Sequence, residues 1–197
     1  MRITPALVAL ALTLAAAGCT HYAGPARPIE PSTIVENDGW RRVPQMMLVR
    51  QRDASDCGVA AVAMVLARWS RPTGLAEVRA AAPPVGNGLR ARDLRDLLRA
   101  RRLRAFVIEG RMADLEHEVA AGRPVIVGTL KRLSDRRARS HFEVVVALHP
   151  ERKLVVTLDP SLGWRQSSYA GFEAEWALSG HATIVTLPPG EWQYAAR

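Results

Sequence analysis

The stretch of sequence that most constrains the fold is an unbroken apolar run from Val59 to Ala67, directly after a polar loop. The run is too short to cross a membrane, which takes about 20 apolar residues. Because it is apolar on every face, it is typical of a helix buried inside a globular core. We therefore predict a central helix that ends near Trp69 to Pro72, with Asp56 as its N-cap and Ser55 as the alternative.

A cysteine, Cys57, stands at the predicted start of this helix. Unpaired backbone N–H groups and the helix dipole favour a negative charge in the first turn, so a thiol there ionises more easily. The thiolate is the reactive form of cysteine. A free cysteine is often only a small apolar core residue, but the junction of a polar loop with a helix favours a reactive thiol. We expect Gly58 to leave space beside the sulfur for a substrate backbone.

Two apolar, β-rich runs, His141 to Leu148 and Leu154 to Asp159, flank a turn near Pro150 and Glu151 and predict a hairpin. Antiparallel pairing around this turn places His141 opposite Asp159, within about one residue of register. An imidazole would then lie beside a carboxylate. Since a slip of one residue reverses the side-chain faces, the register decides whether the two groups meet. The other histidines are interpreted as surface or core residues: His21, His117, His149 and His181.

The order of these features resembles a known family. Gln51 precedes Asp56-Cys57-Gly58 and the apolar helix, and the segments SHFEVVVAL and LVVTLDPSLG follow later in the chain. This order resembles the bacteriocin-processing (double-glycine leader) cysteine peptidases, which are papain-like. The resemblance covers about Val43 to Leu187, most of the chain. It implies an α+β fold in which a central helix carries the cysteine and an antiparallel sheet carries the histidine and aspartate.

The resemblance also implies a role for each of four side chains. Cys57 would be the nucleophile, and His141 would take the thiol proton and later protonate the leaving amine. Asp159 would orient the imidazole and stabilise its charged form. Gln51, with the backbone N–H of Cys57, would stabilise the oxyanion. The implied activity is peptide hydrolysis after small residues such as a glycine pair.

The N-terminus predicts export. Residues 1–18 have an early charge and an apolar stretch from Ala6 to Ala17, as in a signal peptide. The segment LAAAGC resembles a bacterial lipoprotein signal, which implies that Cys19 is lipidated and attaches the protein to a membrane. Thr20 after the cysteine favours the periplasmic face of the outer membrane, by resemblance to other lipoproteins. The alternative is plain cleavage and a soluble exported protein. With Cys19 lipidated, Cys57 has no disulfide partner in this chain, which favours a reactive thiol.

The chain divides into residues 1–18, a lipid-anchored tether at 19–44 whose prolines predict an extended linker, a peptidase domain at 45–190 and a tail at 191–197. Within the domain, Gln45 to Val49 is expected to be a strand or an irregular packed segment. The charged stretch Lys131 to Ser140 is interpreted as a solvated loop that borders the site and could select acidic or polar substrates. Helices are predicted at Gly74–Ala81, Arg90–Arg101, Met112–Ala121 and Phe172–Leu178, and strands at Arg104–Glu109, Pro124–Leu130 and Ala182–Leu187.

Composition excludes several classes of function. The net charge is +8, but the basic residues are nearly all arginines spread through predicted helices, and no aromatic-and-basic RNA motif is present. We therefore expect no nucleic-acid partner. No cysteine and histidine spacing fits zinc, and Val85-Gly86-Asn87-Gly88 lacks the context of a phosphate loop. The predicted partner is a peptide or protein substrate, without a metal or cofactor.

Two other classes of function stay open from the sequence. One is a papain-like domain that has lost activity and only binds its ligand. The other is an amidase or acyl-transfer enzyme on the same fold, acting on an amide of the cell envelope. The sequence favours the peptidase because all four side chains of the predicted site are present.

Overall fold

The computed structural model describes residues 22, 24–84, 88–134 and 137–187. Its centre is one antiparallel sheet of eight strands in the order β1-β7-β6-β5-β4-β8-β3, with β2 paired to β5. The strands are β1 Arg27–Pro28, β2 Arg41–Arg42, β3 Arg104–Glu109, β4 Val125–Ser134, β5 Arg137–His149, β6 Leu154–Asp159, β7 Gly163–Ser168 and β8 Ala182–Leu187. The helices are α1 Cys57–Arg68, α2 Leu75–Ala81, α3 Ala91–Ala100, α4 Met112–Ala120 and α5 Tyr169–Trp176. This arrangement confirms the predicted α+β class.

Two apolar clusters cover the two faces of the sheet. One joins α1, α2 and α3 to alternate strand residues such as Ile126 and Val144. The other joins α4 and α5 to the intervening residues, such as Val127 and Val145. The alternation follows from the strand period of two, which sends successive side chains to opposite faces. A bulge in β5 breaks it locally, so that Val146 and Ala147 both lie in the first cluster.

The apolar run of the sequence is the buried helix that its composition predicts. Every residue from Cys57 to Leu66 is buried, and the helix ends at Arg68. Among the residues that the structure describes, no helix is long and apolar enough to span a bilayer. The predicted amphipathic helices are present with shifted ends, while Gln45 to Val49 has no regular structure.

The interpretation of the segment before Pro44 as an extended linker is wrong for the described residues from Gly24 onward. β1 pairs with β7 and β2 pairs with β5, so this segment extends the sheet. Ile34, Trp40 and Val43 are buried in the two clusters. Their spacing shows neither helical nor strand periodicity: Ile34 and Trp40 pack in the first cluster and Val43 packs in the second. The predicted signal peptide, Cys19 and the tail at 191–197 lie outside the described residues.

The interpretation of Lys131 to Ser140 as a solvated loop is also wrong. Its described parts extend β4 and β5 into a long hairpin, in which Lys131 pairs with Arg139 and Thr129 pairs with His141. Lys131 is buried between the carboxylates of Glu143 (2.8 Å) and Glu175 (3.0 Å). Glu143 lies on the paired strand β5 and Glu175 lies on α5, and together they make burial of the lysine possible.

The predicted hairpin around Pro150 is present, but its register differs from the prediction. Val144 pairs with Leu158, and beyond the bulge Leu148 pairs with Val155. Continuing this register places Asp159 opposite Glu143, two residues from His141. A shift of two residues preserves the side-chain face, so Asp159 still lies diagonally across from His141 and within its reach.

Candidate active site

Cys57 begins helix α1 as the sequence predicts, but Asp56 does not cap the helix with its side chain. The Asp56 carboxylate forms an ion pair with Arg79 and accepts from the backbone N–H of Asp53 at 3.2 Å. Arg79 lies on α2, and its charge offers the buried carboxylate a stronger partner than a backbone amide. The first-turn N–H groups thus stay available to the cysteine.

Gly58 is closely packed in the structure, and its expected role in leaving space for a substrate stays a prediction. A Cβ atom there would lie 2.9 Å from Leu94 Cδ1 and 3.5 Å from Phe142 Cδ2. The glycine therefore allows close packing of α1 against α3 and the sheet. The space open to a substrate is a cleft of about 280 Å³ that Cys57 lines with Leu89 and Ser140.

A chain of polar contacts connects Cys57, His141 and Asp159. The Cys57 thiol interacts with the His141 imidazole, which lowers the pKa of the thiol. His141 Nε2 lies 2.9 Å from Asp159 Oδ1, which leaves Nδ1 for the thiol. All three groups are buried, with exposed fractions of 7%, 6% and 1%. Asp159 Oδ1 also accepts from the backbone N–H groups of Ser161 (2.8 Å) and Leu162 (3.0 Å), which orient the carboxylate.

This geometry shifts the pKa of each group. Burial alone would raise the pKa of the Cys57 thiol, but His141 and the N–H groups of Phe142 and Gly58 lower it overall. Burial opposes the charged form of His141, but hydrogen bonds to Asp159 and Cys57 raise its pKa to about 10. Burial would raise the pKa of Asp159, but His141 and then Lys131 lower it to about 2. The arrangement favours a thiolate–imidazolium pair beside an ionised carboxylate.

Gln51 lies near the pair, but its amide is engaged within its own loop. Its Nε2 donates to the Asp53 carbonyl at 3.0 Å, and its backbone N–H donates to the Pro160 carbonyl at 3.1 Å. The side chain lines a polar cavity of about 80 Å³ together with His141 and Asp159. Its Oε1 is buried without a hydrogen-bond partner in the described structure. The oxyanion role of Gln51 stays a prediction.

Sequence reasoning missed the buried charges next to Asp159. Besides Lys131, they are Glu143, which accepts from Thr157 Oγ1 at 2.7 Å, and Glu175, which accepts from the Tyr22 hydroxyl at 2.8 Å. A signal was present in the sequence, because a carboxylate inside the apolar run HFEVVVAL needs a buried partner.

In the part of the chain that the structure describes, no three His, Cys, Asp or Glu side chains converge to hold a metal.

These features are those of a papain-like cysteine peptidase fold. Comparison with known proteins identifies the family. The model of the peptidase C39 family matches residues 45–187. The chain therefore belongs to the peptidase C39 family, a family of cysteine peptidases. Comparison with curated protein sequences finds no match.

Solved structures share the fold. The peptidase domain of Streptococcus ComA, described as a bi-functional ABC transporter of a quorum-sensing pathway, is 23% identical, with a TM-score of 0.60 over 73% of this chain and 99% of that domain. A double-glycine-motif protease from an AMS/PCAT transporter, solved with its leader peptide, is 22% identical, with a TM-score of 0.59 over 75% and 94%. A C39-like peptidase from Bacillus anthracis is 16% identical, with a TM-score of 0.61 over 75% and 97%.

Proposed function

We propose that this protein is an active cysteine peptidase with Cys57 as its nucleophile. The observation that carries the proposal is the chain of contacts from Cys57 through His141 to Asp159. The thiolate attacks the carbonyl carbon of a peptide bond and forms a tetrahedral intermediate. His141, charged before the attack, gives its proton to the leaving amine as the C–N bond breaks. Water then attacks the thioester, and His141 accepts one of its protons as the thiolate leaves.

Two groups support the developing oxyanion in this proposal. One is the backbone N–H of Cys57 in the first turn of α1. The other is the Gln51 amide, which reaches the oxyanion if it leaves the Asp53 carbonyl. Its position in the cavity shared with His141 supports this role. Hydrogen bonds of this kind act on charge that forms only in the transition state.

The proposed substrate is an extended peptide with small residues next to the scissile bond. The cleft beside Cys57 is lined by Gly88, Leu89 and Phe142, so that apolar surface lies close to the sulfur. The family resemblance adds the preference for small residues, and the solved relative with a leader peptide shows that such a domain can hold one.

The test combines a defined assay with an unbiased one. Wild-type protein should cleave peptides with small residues at the scissile bond, and Cys57→Ala should abolish turnover while remaining folded. New N-termini in cells that express wild-type but not Cys57→Ala protein would give the natural cleavage sites. A preference for bulky residues at the scissile bond would refute the substrate class, and turnover retained by Cys57→Ala would refute the nucleophile.

We further propose that the protein is a lipoprotein of the bacterial envelope, anchored through Cys19 at the periplasmic face of the outer membrane. Tyr22 lines the cavity that contains His141 and Asp159. Tyr22 follows Cys19 by three residues, which span at most about 11 Å. A lipid on Cys19 would therefore keep the site close to the membrane surface. Substrates would then be peptides presented at that surface.

Fractionation tests the anchor. Wild-type protein should stay with membranes after a salt wash, and Cys19→Ser should be released. A Cys19→Ser protein that remains membrane-bound would contradict the lipid anchor. This result would leave the peptidase proposal unaffected, because Cys57 is assayed separately.

A further inference from the structure

The charges around the nucleophile are unevenly partnered. Two cavities flank the Cys57–His141 pair, one lined by Cys57 and the other by His141 and Asp159. Within the second, His141 is paired with Asp159, and Lys131 is paired with two buried carboxylates. Arg139 lines both cavities and is exposed, and no described side chain of opposite charge contacts it.

The sheet register explains why Arg139 lies at this position. It is two residues before His141 on β5 and pairs with Lys131 on β4. Residues two apart on a strand share a face, so the guanidinium lies on the same face as the imidazole. The lining of the cavity beside Cys57 contains no carboxylate among the described residues. A planar guanidinium in such a place can bind a carboxylate with two parallel hydrogen bonds.

We propose that Arg139 is a specificity-determining residue that binds a carboxylate of the substrate close to the scissile bond. The inference rests on the proposed peptidase function and adds a substrate class to it: a peptide with a Glu or Asp side chain within a few residues of the cleaved bond. The small residue proposed at the scissile bond and the acidic residue proposed to bind Arg139 occupy different positions of the same peptide.

A first experiment needs no knowledge of the substrate. Cys57 is alkylated with iodoacetate, which carries a carboxylate, and separately with neutral iodoacetamide. The quantity measured is the rate with iodoacetate divided by the rate with iodoacetamide. Arg139→Gln should lower this ratio by roughly 3- to 30-fold, the range expected for losing one charged hydrogen-bond partner in a partly exposed site. The effect should shrink at high salt, because ions screen exposed charges.

The hairpin offers a matched control, Arg132→Gln. Arg132 is also exposed, and it pairs with Ala138, so it lies on the opposite face from Arg139. Arg132→Gln and Arg139→Gln remove the same charge. The two arginines also lie at nearly the same level of the hairpin, because the partner of Arg132 is the neighbour of Arg139. Arg132→Gln should keep the wild-type ratio. Equal ratios in wild-type and Arg139→Gln proteins, or equal losses in both variants, would overturn the inference.

A second experiment uses peptides that differ by Glu, Gln or Lys at one position near the scissile bond. The variable residue is placed at each position near the scissile bond in turn. At one of these positions, the kcat/KM of wild-type protein should be roughly 3- to 30-fold higher for the Glu peptide than for the Gln peptide. Arg139→Gln should remove this preference, and Arg132→Gln should keep it. Efficient cleavage by wild-type protein without such a preference would overturn the role of Arg139 but leave the peptidase intact. An absence of cleavage, with the alkylation ratio still dependent on Arg139, would instead refute the peptidase proposal.

Discussion

Replacing Cys57 by alanine should change how the stability of the protein depends on pH. The folded state favours a thiolate–imidazolium pair, because the pKa of Cys57 is lowered and that of His141 is raised to about 10. In the unfolded chain, His ionises near pH 6.5 and Cys near pH 8.5. On folding, the proton of the Cys57 thiol is thus transferred to His141. The Cys57→Ala variant has no thiol, so this transfer cannot occur.

The magnitude follows from the protons bound in each state. The raised pKa of His141 gives stability that is fully present below about pH 6.5 and is lost as pH rises toward about 10. The lowered pKa of Cys57 gives stability that is present above about pH 8.5 and is lost as pH falls. Between about pH 6.5 and 8.5, an ionised pair in the folded state would hold one proton, on His141, and the unfolded pair holds one on the thiol. The wild-type pair therefore adds no pH dependence there.

In Cys57→Ala, Asp159 still raises the pKa of His141, so we expect the folded state to keep the His141 proton while the unfolded state loses it. One extra proton in the folded state lowers the free energy of unfolding by about 1.36 kcal/mol per pH unit. Over about two pH units, with incomplete titration at the ends, the variant should lose about 2 kcal/mol relative to wild type.

The assay is urea unfolding of both proteins, under reducing conditions, at steps between pH 6.5 and 8.5. Comparing the two proteins removes the contributions of all other titrating groups. Cys57→Ser serves as a control and should behave like the alanine variant, because its hydroxyl does not titrate in this range. A difference in stability that is constant with pH would refute the ionised pair. The helix start and the His141 contact would then not be sufficient to hold a thiolate.

Two further predictions concern the supporting residues. Asp159→Asn should lower kcat/KM by roughly 10²- to 10⁴-fold, because the imidazole loses its orienting charge, while alkylation still detects the Cys57 thiol; an unchanged rate would exclude the role of the carboxylate. Lys131→Met should lower the free energy of unfolding in urea by roughly 3–5 kcal/mol, because it leaves Glu143 and Glu175 buried without a positive charge. The triple variant that also carries Glu143→Gln and Glu175→Gln should regain most of that loss, and equal stability of the single and triple variants would contradict this account.

The candidate site was largely predictable from the sequence because its main signals are local. Cys57 follows a polar loop and precedes an apolar run, and this order alone predicts a thiol at the start of a buried helix. The strand and hairpin signals around Pro150 bring His141 and Asp159 to one region. In the structure, His141 is paired with Asp159 and interacts with the Cys57 thiol. The structure also places Gln51 in the adjoining cavity, without testing its predicted role.

The tertiary structure decided the features that depend on residues far apart in the chain. The register of β5 and β6 depends on a bulge at Val146. The local sequence does not signal this bulge, because its position depends on packing on both faces of the sheet. The Asp56 carboxylate turns from the helix to Arg79, which lies on another helix. Lys131 is buried only because Glu143 and Glu175 converge on it.

The contrast is sharpest in the segment before Pro44. The sequence determined the buried helix, the amphipathic helices and the order of the site residues, since periodicity and helix-start signals act over a few neighbouring residues. The same signals predicted an extended linker where the structure has two short strands and a buried Trp40. Prolines and irregular spacing argue against a long helix or strand, but they carry no information about apolar clusters that other parts of the chain form. A segment that packs into such clusters is stabilised by apolar burial that only the completed sheet provides.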